Sequence, residues 1–359
     1  MAKAVYIHIP FCRNICSYCD FCKFIYNEKW VGAYLTALSR EIKDRYMDDR
    51  IETLYIGGGT PSALTNSELL RLFKILQVFK LDKLEEFTFE CNLEDINADL
   101  LTVLKNNHVN RLSIGIESFN PKNLDFLERH ADFLDAQAKI ELCHKYGFNN
   151  INIDLMYALP NETLKDLKKD LTYVLKLNPT HISTYSLIIE NHTKIKNNNV
   201  TYLDEELDYE MFCYIEKRLS GANHYEISNF AIPGYESKHN LVYWNNEEYY
   251  GFGLSAAGYI DSIRYKNTQN LKEYLLGNYV FEKEILGKKD KMDYEIMLGL
   301  RKNTGININE FYEKYQEDIE SVYNLKPLLK NKDLIKKKGH IFINPEKVYV
   351  MNEILIKII

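Results

Sequence analysis

Short apolar runs alternate with longer amphipathic segments over the first half of the chain. The helical segment from Glu28 to Arg45, for example, has apolar residues three and four positions apart. The apolar runs between such segments predict six strands, at Ala4 to Ile9, Thr53 to Ile56, Phe87 to Cys91, Arg111 to Ile116, Ile151 to Leu155 and His181 to Leu187. Six alternations of strand and helix predict a parallel sheet, and we expect an α/β fold with a partial (βα)6 barrel.

The pattern changes in the second half. Residues 190 to 205 are polar and rich in asparagine, which predicts a loop across the open side of the barrel. From about Glu284 lysine-rich helices appear, and a hairpin with Gly339 at its turn follows them. We therefore expect a barrel over residues 1–225, a connecting segment over 226–283 and a smaller C-terminal winged-helix-like α+β domain over 284–359.

Composition narrows the class of protein. The 359 residues are 46% hydrophobic and 27% charged, and the net charge of −6 gives no general attraction to nucleic acid or to an anionic membrane. No apolar run reaches the roughly 18 residues that span a bilayer. Seven unevenly spaced cysteines argue against a secreted disulfide framework. These features predict a cytoplasmic protein that would reach a membrane only through a partner.

Four of the seven cysteines lie within eleven residues, and the first three, Cys12, Cys16 and Cys19, have the spacing C-x3-C-x2-C. Thiolates so close in sequence can converge on zinc or on an iron–sulfur cluster. A structural zinc site would need a second pair of ligands, which the chain does not offer. Three cysteines would leave one iron of a cubane open, whereas Cys22 could close that position and give an inert electron-transfer cluster.

Two further features follow the predicted strands. The segment Gly57-Gly58-Gly59-Thr60 comes directly after the second strand, where backbone N–H groups could approach a carboxylate or a carbonyl of a ligand, or simply form a tight turn. Asp154 lies within an apolar strand, where a buried carboxylate needs a ligand or an ionic partner. Because reactive groups of barrel sheets gather at the carboxyl ends of the strands, we expect the glycines and the cysteines to lie near one another.

The cysteine loop and the preceding Tyr-Ile-His-Ile-Pro-Phe resemble the signature of the radical S-adenosylmethionine (SAM) superfamily. Within it the motif is similar to the branch of oxygen-independent coproporphyrinogen III oxidase and the HemW-type haem chaperones. The resemblance implies that Cys12, Cys16 and Cys19 bind a [4Fe–4S] cluster whose open iron is chelated by SAM. It also implies a set of SAM contacts at the strand ends, namely Tyr6, Tyr18, Gly58, Gly59, Thr60, Glu90, Arg129 and Asp154.

The chain departs from the pattern of this family at three places. Leu93 stands where relatives usually have proline, and Glu117 stands where they usually have glutamine. Arg129 matches the arginine of a Gly-Arg-x-His segment, but Glu128 precedes it and His130 is shifted by one position. A surface arginine at a helix end is the alternative interpretation of Arg129.

The segment His239-Asn240-Leu241-Val242-Tyr243-Trp244 resembles the H-N-x-x-Y-W motif of the HemW branch. The resemblance implies haem contacts by His239, Asn240, Tyr243 and Trp244. Imidazole is a common axial ligand of haem iron, and aromatic faces suit a porphyrin plane. The alternative is that the histidine and the aromatic residues pack a domain junction.

Three functions remain open. The resemblance favours a haem chaperone that delivers haem to an acceptor haemoprotein. An oxidase that converts two propionates to vinyl groups is the alternative, and it would cleave SAM with an electron donor such as flavodoxin or ferredoxin. The spacing of Cys22 and the H-N-x-x-Y-W segment argue against the oxidase. A passive electron carrier would require Cys22 as the fourth ligand.

Overall fold

The computed structural model describes residues 1–359, and its main element is one twelve-stranded sheet. The strands of this sheet, in chain order, are β1 (Ala4–Ile9), β2 (Thr53–Gly58), β3 (Glu86–Asn92), β4 (Arg111–Glu117), β5 (Asn150–Tyr157), β6 (His181–Ser186), β7 (Asn223–Glu226), β8 (Asn229–Ala231), β9 (Tyr249–Phe252), β10 (Ala257–Ile260), β11 (Ile263–Asn267) and β12 (Val280–Ile285). Their spatial order is β12-β11-β10-β9-β1-β2-β3-β4-β5-β6-β8-β7.

The six predicted strands are confirmed, and β1 to β6 pair in parallel and in chain order. The sheet does not close on itself, because antiparallel strands extend both of its ends. The α/β fold with a partial barrel is therefore confirmed. The sequence did not predict β9, which is a seventh parallel strand with Tyr249 opposite Ala4 of β1. Residues 226–283, expected as a connecting segment, contribute several strands to this sheet.

Amphipathic helices cover the sheet. In α1, Asn27 caps the first turn by accepting from two backbone N–H groups, and the apolar face enters a core of 56 buried residues. The helices, in chain order, are α1 (Glu28–Arg45), α2 (Asn66–Leu76), α3 (Ala98–Asn106), α4 (Pro121–Leu127), α5 (Phe133–Lys145), α6 (Leu164–Lys176), α7 (Lys194–Asn197), α8 (Glu205–Arg218), α9 (Lys238–Trp244), α10 (Leu271–Leu276), α11 (Lys288–Gly299), α12 (Ile308–Tyr315), α13 (Ile319–Val322), α14 (Lys326–Lys330) and α15 (Met351–Ile356). None of these helices combines the length and the apolar composition needed to cross a bilayer.

A second core of 17 buried residues organises the C-terminal part. There α11 to α15 pack around a small antiparallel sheet of β13 (Ile306–Asn307), β14 (Leu334–Lys337) and β15 (His340–Ile343). The predicted hairpin is confirmed, with Gly339 in the left-handed region at its turn. The predicted helices of this part are short, and α12 ends where Gln316 adopts a φ of 53°.

Candidate functional site: a cavity lined by three cysteines

The carboxyl ends of β1 to β6 surround a cavity of about 440 Å³. This position is where barrel sheets place reactive groups. The cavity brings together most of the predicted site residues: Cys12, Cys16, Tyr18, Cys19, Gly58, Gly59, Thr60, Glu90, Arg129, Asp154 and Asn240. Four predicted residues do not line it: Tyr6, His239, Tyr243 and Trp244.

The cysteine loop is held at both of its ends and in its middle. Phe11–Cys12 pairs in parallel with Phe24–Ile25, which fixes the two ends side by side. In the middle, the backbone N–H of Ser17 donates to the carbonyl of Leu127 at 3.2 Å, and its hydroxyl donates to the carbonyl of Phe126 at 2.6 Å. The loop is therefore docked on the C-terminal end of α4.

The three cavity thiols are shielded from water. Burial raises the pKa of the Cys12 thiol to about 11, and it also raises the pKa values of Cys16 and Cys19. Cationic neighbours oppose this effect, since Lys23 acts on Cys19 and Arg129 acts on Cys16. The thiols are therefore neutral at pH 7 unless a bound cation stabilises the thiolates, as iron or zinc does.

Cys22 faces away from this cavity. Its thiol donates to the backbone carbonyl of Gln269 at 3.7 Å, and its own carbonyl accepts from His8 Nε2 at 2.8 Å. The sulfur does not line the cavity that the other three cysteines share. This geometry favours three cysteine ligands over four.

The glycine segment packs tightly against its neighbours. Gly58 has a φ of +115°, and a Cβ atom there would lie 2.5 Å from the His8 ring. A Cβ atom on Gly59 would lie 2.9 Å from Cys12 Sγ. Both positions therefore require glycine if the second strand is to end beside the cysteine loop.

The structure corrects the prediction that backbone N–H groups of this segment could bind a ligand. Gly58 N–H donates to Glu90 Oε2 at 2.9 Å, and the N–H groups of Gly59 and Thr60 donate to backbone carbonyls of segment 9–11 at 2.8 Å. These three donors are already used within the protein. A ligand would meet the segment through its carbonyl groups and the Thr60 side chain instead.

Glu90 is the acidic group closest to this segment. Besides Gly58, the hydroxyl of Tyr55 donates to its carboxylate at 2.7 Å. Burial raises the pKa of Glu90 to about 7, against the effect of these two hydrogen bonds. The carboxylate is thus oriented by its neighbours and half-protonated near neutral pH.

The side chain of Arg129 is only 9% exposed, so its interpretation as a surface residue is wrong. Its guanidinium donates to Asn92 Oδ1 at 2.8 Å and to the carbonyl of Gly115 at 2.6 Å. It also lies 3.6 Å from the Glu117 carboxylate and 3.9 Å from Cys16 Sγ. The carboxylate of Glu117 raises the pKa of Arg129, which stays charged beside the cysteine loop.

Two more carboxyl groups border the cavity. Glu117 has a left-handed φ of 68° next to a bulge between β4 and β5, and burial raises its pKa to about 7. Asp154 accepts from Asn152 Nδ2 at 2.9 Å and from Ser113 Oγ at 3.5 Å, and burial raises its pKa. Both groups would be more fully ionised beside a cationic ligand.

Sequence reasoning missed the polar inner face of the sheet. Polar side chains from neighbouring strands continue the cavity inward: Tyr55, Arg111, Ser113, Asn152, Ser183 and Tyr185. Polar residues alternate with apolar ones along β4 and β5, as in Asn152-Ile153-Asp154. This alternation is typical of a strand with one polar face, and it could have predicted the polar inner face.

The structure corrects the expected position of His239. Its side chain is 1% exposed, with Nδ1 2.8 Å from Thr53 Oγ1 and Nε2 2.7 Å from the Tyr243 hydroxyl. Its backbone N–H donates to Glu86 Oε1 at 3.0 Å. Burial lowers the pKa of the imidazole to about 3. Neither ring nitrogen is available to iron in this conformation, and the imidazole instead fastens α9 to the sheet.

Tyr243, Trp244 and Tyr6 also lie among protein groups and outside the cavity. Trp244 is half-buried, and its indole N–H has no hydrogen-bond partner. Tyr6 contacts His8 Nδ1 through its hydroxyl at 3.1 Å. Only Asn240 of the H-N-x-x-Y-W segment lines the cavity. Their predicted haem and SAM contacts remain predictions.

Comparisons with known proteins agree with this architecture. The model of the radical SAM superfamily matches residues 6–174, and that of the HemN C-terminal domain matches residues 286–348. Coproporphyrinogen III oxidase (HemN) from Escherichia coli, described as a radical SAM enzyme, superposes with a TM-score of 0.86 at 22% identity, covering 99% of this chain and 90% of that chain. This likeness establishes the fold.

Sequence relatives define the family. Heme chaperone HemW of Lactococcus lactis subsp. lactis is 40% identical over 331 residues, which cover 89% of this chain and 87% of the relative. Heme chaperone HemW of Bacillus subtilis is 36% identical over 369 residues, which cover 98% and 96%. With this fold, this cavity and these relatives, the chain belongs to the HemW family of the radical SAM superfamily.

Proposed function

We propose that this protein is a haem chaperone that holds a [4Fe–4S] cluster, binds SAM and delivers haem to an acceptor haemoprotein. The observation that carries the proposal is the cavity that Cys12, Cys16 and Cys19 share without Cys22. The relatives named heme chaperone HemW support the haem function. An electron donor, such as flavodoxin or ferredoxin, would be a further partner only if SAM is cleaved.

The cavity residues fit a cluster with one open iron. The three thiols face one space, and Gly59 leaves room for the Cys12 sulfur. No three histidine, cysteine, aspartate or glutamate side chains are placed to hold a single metal ion, whereas cluster ligands stand farther apart. When bound, such a cluster supplies single electrons and an iron that chelates SAM.

The charges of the cavity suit SAM, which carries a sulfonium and an ammonium group. Burial raises the pKa values of Glu90, Glu117 and Asp154, so each carboxyl group gains from a nearby cation. Glu90 would accept a hydrogen bond from the ammonium or a ribose hydroxyl. Arg129 would keep the carboxylate end of the ligand near Cys16.

The relatives favour the chaperone over the oxidase. Relatives that are 40% and 36% identical over most of this chain are named heme chaperone HemW. The coproporphyrinogen III oxidase shares the fold at 22% identity.

Haem transfer tests this proposal directly. The full chain is reconstituted anaerobically, titrated with haem by absorption and mixed with an apo-haemoprotein, and coproporphyrinogen conversion is assayed on the same sample. We expect one haem per chain, transfer to the acceptor and no porphyrinogen product. Turnover of coproporphyrinogen with SAM consumption, and no stable haem binding, would identify an oxidase instead.

A further inference from the structure

One buried cation in the cavity has no anionic partner. Arg111 is 2% exposed, and its side chain makes a single hydrogen bond, from Nη1 to Thr88 Oγ1 at 3.5 Å. Its Nε atom is buried without any partner, and no carboxylate forms an ion pair with it. A guanidinium carries five N–H donors, and a buried charge left unpaired is costly. The site is therefore incomplete without an anion.

The acidic groups around Arg111 are all held by other donors. Burial raises the pKa values of Glu90 and Asp154, and Arg111 opposes this rise through space. Glu90 accepts from Tyr55 and Gly58, and Asp154 accepts from Asn152 and Ser113. The carboxylate of Glu86 accepts from backbone N–H groups at the start of α9. None of these carboxylates forms a hydrogen bond or an ion pair with the guanidinium.

Arg111 lies at the inner end of the cavity, far along β4 from the cysteine loop. It is the first residue of that strand, while Glu117, next to Arg129, is the last. The side-chain amide of Asn240 lines the same cavity and forms no hydrogen bond within the chain. An unpaired guanidinium and a free amide therefore face one polar space.

We propose that this inner end is a carboxylate-binding site, with Arg111 as the cation and the Asn240 amide as a second donor. Arg129 lies beside Cys16 and Glu117, at the other end of β4, so it does not compete for the same group. A bidentate carboxylate would satisfy the guanidinium of Arg111. The ligand is a free short-chain carboxylic acid, because the proposed function places the carboxylate of SAM beside Arg129, and the site therefore goes beyond haem delivery.

Propionate is the probe, and propionamide is its uncharged counterpart. Each is titrated into the cluster-loaded full chain by calorimetry. We expect propionate to bind at least tenfold more tightly than propionamide, and we expect Arg111→Met to abolish this preference. Arg218→Met, at an exposed arginine of α8, should leave it unchanged. Asn240→Asp should weaken propionate binding at least tenfold, because it places a second anion in the site.

The midpoint of thermal unfolding shows whether Arg111 binds a ligand or stabilises the fold. If Arg111 serves to bind a ligand, Arg111→Met without added acid should unfold at the same temperature as the wild type or at a higher one, because the substitution removes an unpaired buried charge. The proposal would be overturned if Arg111→Met misfolds and Asn240→Asp still binds propionate as tightly as the wild type. It would also be overturned if the wild type binds propionate and propionamide with equal affinity.

A competition experiment shows whether the acid site is separate from the SAM site. We expect propionate to bind with unchanged affinity in the presence of saturating SAM. Displacement of propionate by SAM would overturn the proposal, because both ligands would then occupy one site. Haem binding is measured apart from both, so a failure of the chaperone function would not be mistaken for a failure of this site.

Discussion

At the scale of single residues, the direction of each sulfur atom decides its role. Cys22→Ala should retain iron and acid-labile sulfide at the wild-type level, because its thiol contacts Gln269 and not the cavity. Alanine at Cys12, Cys16 or Cys19 should lose both, because each removes one of three ligands. Iron and sulfide analysis after anaerobic reconstitution checks this. Loss of the cluster in Cys22→Ala would instead indicate a four-cysteine carrier.

The buried carboxyl group of Glu90 makes stability depend on pH. Its pKa is raised from 4.5 to about 7, so the folded state holds a proton that the unfolded state has released between these values. The group therefore stabilises the fold below pH 4.5, and that contribution is lost as pH rises through 7. The loss is on the order of 3 kcal/mol, at 1.36 kcal/mol for each pKa unit.

Glu90→Gln tests this linkage. Glutamine can still accept from Gly58 N–H and can donate to the Tyr55 hydroxyl, so the local geometry is kept. We expect the free energy of unfolding of the metal-free variant to fall less than that of the wild type between pH 5 and pH 8. Urea denaturation at both values measures this. Equal losses in the two proteins would show that Glu90 titrates near its ordinary value.

At the scale of elements, α9 is fastened to β2 by His239. Thr53→Val removes one hydrogen bond of the imidazole, and His239→Ala removes both. We expect each variant to be less stable by about 1–3 kcal/mol, and we expect haem affinity to be equally affected in the two. Thermal unfolding and haem titration measure these effects. Haem binding lost only in His239→Ala would show that the imidazole itself contacts haem.

Strand positions were predictable from sequence, but contacts across the sheet were not. The strands β1 to β6 are short segments with consecutive or alternating apolar residues between amphipathic helices, and this local pattern located each within two residues. In contrast, β9 is only four residues long and contains Gly251, so it resembles a turn until β1 is seen beside it. Thr53 and Glu86, which contact His239, and Asn92, which contacts Arg129, lie on strands far away in sequence, which no local pattern encodes.

Of the candidate site, too, only the parts with a local sequence pattern could be predicted. Its cysteines and glycines could be predicted because their spacing along the chain indicates a ligand site. Arg111 could not, because an arginine at the start of a strand usually reaches solvent, and only the assembled sheet shows that this one is enclosed.

At the scale of the whole molecule, Asn246 joins the large sheet to the C-terminal core. It donates to the carbonyl of Lys291 at 3.1 Å and accepts from Arg264 at 2.6 Å, and its φ is 51°. Asn246→Ala should destabilise the protein by more than Asn246→Gly, because glycine adopts the left-handed backbone at less cost than alanine. Chemical denaturation measures both. Equal stability of the two variants would show that the backbone conformation adds nothing.

Binding of SAM to the reduced cluster reports directly on an open iron. Three cysteine ligands would leave one iron open toward the cavity lined by Glu90 and Arg129. The electron paramagnetic resonance spectrum of the dithionite-reduced full chain is therefore recorded with and without SAM. We expect the g values to change on addition of SAM and to change in the same way in Cys22→Ala. An unchanged spectrum would contradict an open iron in this cavity.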